Sequence, residues 1–128
     1  MEKQPKGSGK SVLCVDDDDS IRPLLARILH NAGFVVIEAA SCAAAQLAIS
    51  KHTPDLVILD VDLGDGDGFD LAAKWRQDGH ANLPILSISG REHFHCQNRA
   101  EQLKASFLPK PFTPEKLLAS VQSLIKLR

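Results

Sequence analysis

Eleven of the sixteen acidic residues in this 128-residue chain are aspartates, and nine of the eleven stand in two short stretches. One is Asp16, Asp17, Asp18 and Asp19; the other is Asp60, Asp62, Asp65, Asp67 and Asp70. Each stretch follows a short apolar run, VLCV in the first case and LVIL in the second. Two further apolar runs end in different chemistry, one in Ser89 with Gly90 and the other in Lys110. Ligands of an open parallel sheet bind outside the carboxyl ends of its strands. If these runs are parallel strands, three carboxylates (Asp16, Asp17, Asp60), a hydroxyl and an ammonium converge on one rim. Three carboxylates within ~5 Å repel by about 3 kcal/mol per pair at an effective dielectric of ~20, so they need a counter-charge. A hard divalent cation with oxygen ligands, Mg²⁺, is the economical answer, and Lys110 adds a fixed positive charge. A carboxylate pinned between them has the environment of a phosphoryl acceptor. The positive charges neutralise the equatorial oxygens while Asp60 attacks in line. Ser89 can donate a hydrogen bond to the product, and Gly90, without a side chain, leaves room for the phosphodonor.

Such a rim needs strands and helices in alternation. Residues 12–15, 35–37, 56–59 and 85–88 are nearly continuous apolar runs rich in β-branched residues, and residues 106–108 form a weaker fifth. Continuous runs suit strands buried on both faces, as in a parallel sheet. The helices between them carry start and stop signals. Ser20 caps a helix with Ile21, Leu24, Leu25 and Ile28 on one stripe and Pro23 in its first turn, and Gly33 stops it. Ser41 opens an Ala-rich helix carrying Leu47 and Ile49, and Asp67 opens a third with Leu71 and Trp75 on one face. A poorly patterned fourth helix runs over roughly residues 92–104. Thr113 and Pro114 open the last, striped by Leu117, Val121, Leu124 and Ile125. Five strand–helix alternations with short, right-handed crossovers make a three-layer α/β sandwich. Residues 1–10, MEKQPKGSGK, read as a disordered lead-in, and residues 11–128 as one domain.

Taken in order, VLCVDDDDSIR, PDLVILDVDLGDGDGFDL, ILSISG and FLPKPFTPEKL resemble the successive signatures of the receiver domain of two-component response regulators, with a flavodoxin- or CheY-like fold. The likeness spans residues 11–127. It implies a five-stranded parallel sheet of order 2-1-3-4-5 flanked by five helices. By position it makes Asp16 and Asp17 the acidic pair for Mg²⁺ and Asp60 the phosphoryl-accepting aspartate. Asp62 becomes the residue whose backbone carbonyl reaches the metal, Ser89 the switch hydroxyl, Lys110 the lysine before a proline, and Phe107 the aromatic switch of the fifth strand. Gly64 departs from the proline common at its place, which should loosen the loop after Asp60 and removes no chemical group.

The function that follows is a phosphorylation-controlled switch. A sensor histidine kinase or phosphotransfer protein presents a phosphohistidine, and Asp60 takes the phosphoryl group. Ser89 swings toward it, Phe107 turns into the vacated space, and the surface of the fourth helix, fifth strand and fifth helix is remodelled for a downstream partner. Asp62 and Arg91 pair across the phosphoryl group and, with Gly90, tune how long it lasts. Just past the last helix the chain ends, so the output is expected from protein docking or from an effector domain linked in a longer protein.

Asp18 and Asp19 read as a solvated turn and helix cap. The stretch from Asp60 is no calcium loop, since Asp65 stands where the loop needs Gly and Leu71 where it needs Glu. His93 and His95, two apart, point to different helix faces, and with Cys96 they read as a mildly pH-sensitive patch, not a zinc site. Cys14, inside a strand, is packing. Asp60-Val61-Asp62 also resembles the strand-end pair of haloacid-dehalogenase-like phosphohydrolases, but sits on the third strand with no cap domain. A degenerate docking module would lack one of the rim groups. The formal net charge of −1 offers no field for nucleic acid. No run of residues suits a membrane span or a signal peptide, and three irregularly spaced cysteines fit the reducing cytoplasm.

Overall fold

Apolar runs that must hide both faces find their place in the middle of a sheet. In the computed structural model, which describes residues 9–91 and 93–126 (of residues 93, 94 and 126 the backbone only), five strands form one parallel sheet. They are β1 (Ser11–Val15), β2 (Val35–Ala39), β3 (Leu56–Asp60), β6 (Ile85–Ser89) and β7 (Ser106–Pro109). Between β3 and the next helix, β4 (Asp62–Leu63) and β5 (Gly66–Asp67) pair as a separate antiparallel hairpin. The sheet order is β2-β1-β3-β6-β7, the expected 2-1-3-4-5 when only the five long strands are counted. The helices are α1 (Ile21–Asn31), α2 (Cys42–Lys51), α3 (Gly68–Gln77), α4 (His93–Gln102) and α5 (Pro114–Lys126).

Strands β1, β3 and β6 are buried at every position, as their continuous patterns require. Strand β2 departs from that expectation. It lies at the sheet edge, and Val35 is 53% exposed. The side chains of β1 alternate between two cores. Leu13 and Val15 join Ala45 and Ile49 of α2, Trp75 of α3 and Cys96 and Ala100 of α4. Val12 and Cys14 join Leu25 and Leu29 of α1 and Leu117 and Val121 of α5. The sheet is therefore covered on both faces. Fully burying side chains of this size stabilises by roughly 1.5–3 kcal/mol each. Helix α1 buries Leu25 and Leu29, whereas Leu24 of the expected stripe is 56% exposed. Leu47 of α2 also faces outward. No helix among the described residues is long and apolar enough to cross a membrane.

Most helix boundaries follow the local signals. Ser41 Oγ accepts from Ala44 N–H, Asp67 Oδ1 from Phe69 and Asp70 N–H, and Thr113 Oγ1 from Lys116 N–H. Gly33, with φ of +96°, ends the turn after α1. Ser20 makes no side-chain cap. Asp18 takes that place, its Oδ1 accepting from Ser20 N–H at 2.8 Å and Ile21 N–H at 3.2 Å, the N2 and N3 donors of a helix capped at Asp18. Residues 1–8 of the expected lead-in lie outside the described residues, while Gly9 N–H donates to Gly33 O and Lys10 O accepts from Val35 N–H. Residue 92, the expected start of the fourth helix, lies outside them too.

Candidate functional site

Parallel strands of similar length put their last residues side by side. Asp60 ends β3, Ser89 ends β6, Asp16 follows β1 directly and Lys110 follows β7. Lys110 N–H donates to Ser89 O at 2.8 Å, and Asp16 N–H donates to Ala39 O at 3.1 Å, so the backbone pairing of the sheet continues into the rim. One carboxylate oxygen from each of Asp16, Asp17 and Asp60 lies within 4.8 Å of the others. Asp16 is 0% and Asp60 3% exposed, while Asp17 faces solvent.

The charges are incompletely balanced. Lys110 Nζ lies 3.1 Å from Asp16 Oδ2 and 3.5 Å from Asp60 Oδ2. Burial pushes the Asp60 carboxyl up to about 7, the neighbouring Asp16 charge adds to the rise, and Lys110 opposes it. The Lys110 ammonium, which burial alone would lower, is raised by the charges of Asp60 and Asp16. Asp62 N–H donates to Asp60 Oδ1 at 3.2 Å, and Asp18 N–H to Asp16 Oδ1 at 2.9 Å. Each buried carboxylate thus has one oxygen held by a backbone N–H and the other facing Lys110. The donor set is all oxygen, two of its three carboxylates are buried, and one ammonium answers three negative charges. These residues fit a hard divalent cation such as Mg²⁺.

Around this centre the rim groups are already interlinked. Ser89, fully buried, donates its hydroxyl to Asp62 Oδ2 at 3.4 Å and accepts from Arg91 N–H at 3.0 Å. Arg91 Nη2 is paired with Asp62 Oδ1, and Arg91 Nη1 lies 3.7 Å from Asp67 Oδ2. These contacts raise the Arg91 guanidinium, the Asp62 hydrogen bond most of all. A Cβ built on Gly90 would meet nothing within 4 Å, so the space there is open. Phe107 is partly buried against the core that includes Cys96 and Ala100 of α4, and its register partner is Ser87. His95 is exposed and Cys96 buried, so these two helix neighbours face opposite ways. Burial raises the Cys14 thiol to about 12, in keeping with inert packing.

Four further residues shape the site without having been singled out for it. Arg22 Nη1 donates to Asp16 O at 2.8 Å while the guanidinium pairs with Asp19 and Glu38, fixing the turn after β1. The i,i+3 pair with Asp19 is legible in the spacing, but Glu38 on another strand and the Asp16 carbonyl leave no such signal. Asp18, read from the sequence only as a turn and cap residue, does cap α1 and also bonds back to Asp16. Asp65, at the hairpin tip, accepts from Cys42 and Ala43 N–H and so ties the loop after Asp60 to the start of α2. Gly68 packs directly on the end of β3: an added Cβ would stand 2.2 Å from Asp60 O. A poor helix former opening a helix was its only signal.

The comparisons with known proteins agree with this geometry. A family model described as the response regulator receiver domain matches residues 12–122. The transcriptional regulatory protein GltR of Pseudomonas aeruginosa is 36% identical over 122 residues, covering 93% of this chain and 50% of GltR. The transcriptional regulatory protein PhoP of Escherichia coli O157:H7 is 34% identical over 118 residues, 90% of this chain and 52% of PhoP. The chain thus spans about half the length of these curated relatives. The structure of the Vibrio cholerae chemotaxis protein CheY4 superimposes with a TM-score of 0.84 at 31% identity, covering 91% of this chain and 98% of that one. Five parallel strands, a carboxylate rim and a family match over most of the residues have one meaning: the chain belongs to the response regulator receiver domain family, whose general function is that of a phosphorylation-activated switch in two-component systems.

Proposed function

We propose that Asp60 is the residue phosphorylated, with Asp16, Asp17, Asp60 and the backbone carbonyl of Asp62 holding Mg²⁺ and with Lys110 and Ser89 completing the machinery. The observation that carries this reading is the buried Asp60 carboxylate at a strand end, its proton affinity raised, with an ammonium 3.5 Å from one oxygen. When bound, Mg²⁺ supplies a Lewis acid that offsets charge on the phosphoryl oxygens. The chain's own residues do the rest. Asp60 attacks phosphorus in line, the new oxygen–phosphorus bond forming as the donor's nitrogen–phosphorus bond breaks, and the electron pair leaves with the histidine. Lys110 keeps Asp60 oriented and stands beside the charge as it develops. Ser89 then donates to the phosphoryl group, and Phe107 takes the space it leaves. The change reaches the surface of α4, β7 and α5.

A sensor histidine kinase or a phosphotransfer protein is the donor in this reading, and the listener is a downstream protein or an effector linked to residues 11–128, with no direct contact to nucleic acid. The chain acts as a switch in the reducing cytoplasm, where Cys14, Cys42 and Cys96 form no disulfide, and its chemistry stops at its own phosphorylation and dephosphorylation. Intact mass after treatment with acetyl phosphate and Mg²⁺ tests the assignment. One phosphoryl group should be gained, and none by Asp60→Asn. An adduct that survives Asp60→Asn, or steady turnover of a phosphomonoester in the manner of a phosphohydrolase, would overturn it.

A further inference from the structure

The hydroxyl on which the switch depends is already engaged, and by a group that also holds the nearest arginine. Ser89 donates to Asp62 Oδ2, and Arg91 pairs with the other oxygen of the same carboxylate. Asp62 itself is fastened to Asp60, its N–H donating to Asp60 Oδ1. From Arg91 the chain of contacts continues to Asp67, whose second oxygen accepts from Phe69 N–H at 2.7 Å in the first turn of α3. One carboxylate therefore gathers two donors, one from the end of β6 and one from the segment that follows it, and ties that segment, through Asp67, to α3.

We propose that Asp62 is an autoinhibitory acceptor: in the resting protein its carboxylate occupies the Ser89 hydroxyl and the Arg91 guanidinium, and both must leave it before they can engage a phosphoryl group on Asp60. This rests on the assignment of Asp60 as the phosphorylated residue. A phosphoryl group carries up to two negative charges and three strong acceptor oxygens, so it outcompetes a single carboxylate for the same donors. The Asp62–Arg91 pair is about half exposed on both sides, so it adds little to overall stability. Its effect is on the balance between two arrangements of the same donors. Release of Arg91 also loosens the tie to Asp67, so the segment leading into α4 is freed from α3 in the same event. Asp62 is thus a positioning residue that acts through Ser89 and Arg91, and its carboxylate sets how much phosphoryl-like charge is needed to throw the switch.

Beryllofluoride with Mg²⁺ mimics a phosphoryl group on a carboxylate and needs no phosphodonor. Its affinity for the whole chain is measured by titration, with the amide resonances of residues 89–91 followed by NMR, for the wild type and for Asp62→Ala, Asp62→Asn, Ser89→Ala and the Asp62→Ala/Ser89→Ala double variant. Asp62→Ala should tighten binding about fivefold and Asp62→Asn by less, a neutral acceptor holding its donors more weakly than a charged one. In the unliganded variants the resonances should move toward their loaded positions. In the Ser89→Ala background the gain should fall by at least half. Unchanged or weaker affinity in Asp62→Ala overturns the proposal, as does a full gain without Ser89, which would reduce the effect to removal of a nearby charge. If the wild type binds no beryllofluoride, or Asp60→Asn binds it equally well, the Asp60 assignment falls first and the latch with it.

Discussion

The two ends of the sheet handle buried charge in opposite ways. At the carboxyl end, Asp16, Asp17 and Asp60 face one another with a single ammonium among them. At the other end, Arg76 of α3 is a partly buried cation whose four bonds all go to backbone carbonyls. They are Leu103 O and His80 O at 2.7 Å, Leu83 O at 2.8 Å and Lys104 O at 3.2 Å. That guanidinium clips the end of α4 to the connection between α3 and β6. Its dipolar acceptors satisfy it within the chain, and burial only lowers its proton affinity. The carboxylate end is left short of positive charge and therefore suits a cation. A group whose partners are complete is structural; one whose partners are missing is poised to bind.

Arg76→Met should destabilise the protein by ~3–5 kcal/mol, because four carbonyls lose their donor at once, and urea unfolding measures it. Asp60→Asn should do the reverse. The folded Asp60 carboxyl has its pKa raised to about 7 from the usual 3.8, so the folded state keeps a proton that the unfolded state has released. Without divalent cations, wild-type stability should therefore fall as pH rises from about 4 to about 7 and level off above, whereas Asp60→Asn should lack that segment of the curve. Above pH ~7 the variant should be more stable by ~1–3 kcal/mol, part of the penalty being shared with Asp16. A less stable Asp60→Asn would mean that the rim is a satisfied structural network after all. Added Mg²⁺ should raise wild-type stability by about 1–3 kcal/mol at 10–100 times its dissociation constant. Asp60→Asn should lose most of that gain and Arg76→Met should keep it, which thermal unfolding with and without a chelator would show.

What the sequence disclosed follows the same division between local and distant causes. Asp16, Asp17, Asp60, Ser89 and Lys110 were legible because each closes an apolar run, and strand topology alone assembles them. Ser41, Asp67 and Thr113 were legible as caps because they bond to N–H groups two or three residues ahead. Asp65 was not, since the N–H groups it caps belong to Cys42 and Ala43 in a different part of the chain. The same holds for Arg22 at Asp16 O and for Arg76 at four carbonyls. Guanidinium groups reach far, and carbonyl partners leave no mark on composition. Strand β2 was read as buried on both faces because its apolar run is as continuous as the others, yet at the edge, where the order 2-1-3-4-5 already put it, Val35 lies open. On α1, Leu24 and Leu29 each continue a helical stripe with Leu25, and only the packed sheet decides for Leu29.

The smallest expected effect sharpens the contrast from within the satisfied end. Lys104, just past α4, has φ of +57°, a left-handed conformation that glycine adopts at less cost. Its carbonyl is also one of the Arg76 acceptors, so the arginine helps to hold the strained turn. Lys104→Gly should raise stability by ~0.5–1 kcal/mol through relief of that strain, offset in part by the greater freedom of glycine in the unfolded chain. Mg²⁺ affinity should not move, since the rim lies at the other end of the sheet. In the Arg76→Met background the turn is no longer pinned, so the gain from Lys104→Gly should shrink, a coupling that a double-mutant cycle reads directly. Full additivity would show that Arg76 does not hold the turn. It would also leave the clip as a set of separate hydrogen bonds, unlike the carboxylates at the opposite end, whose charges act on one another.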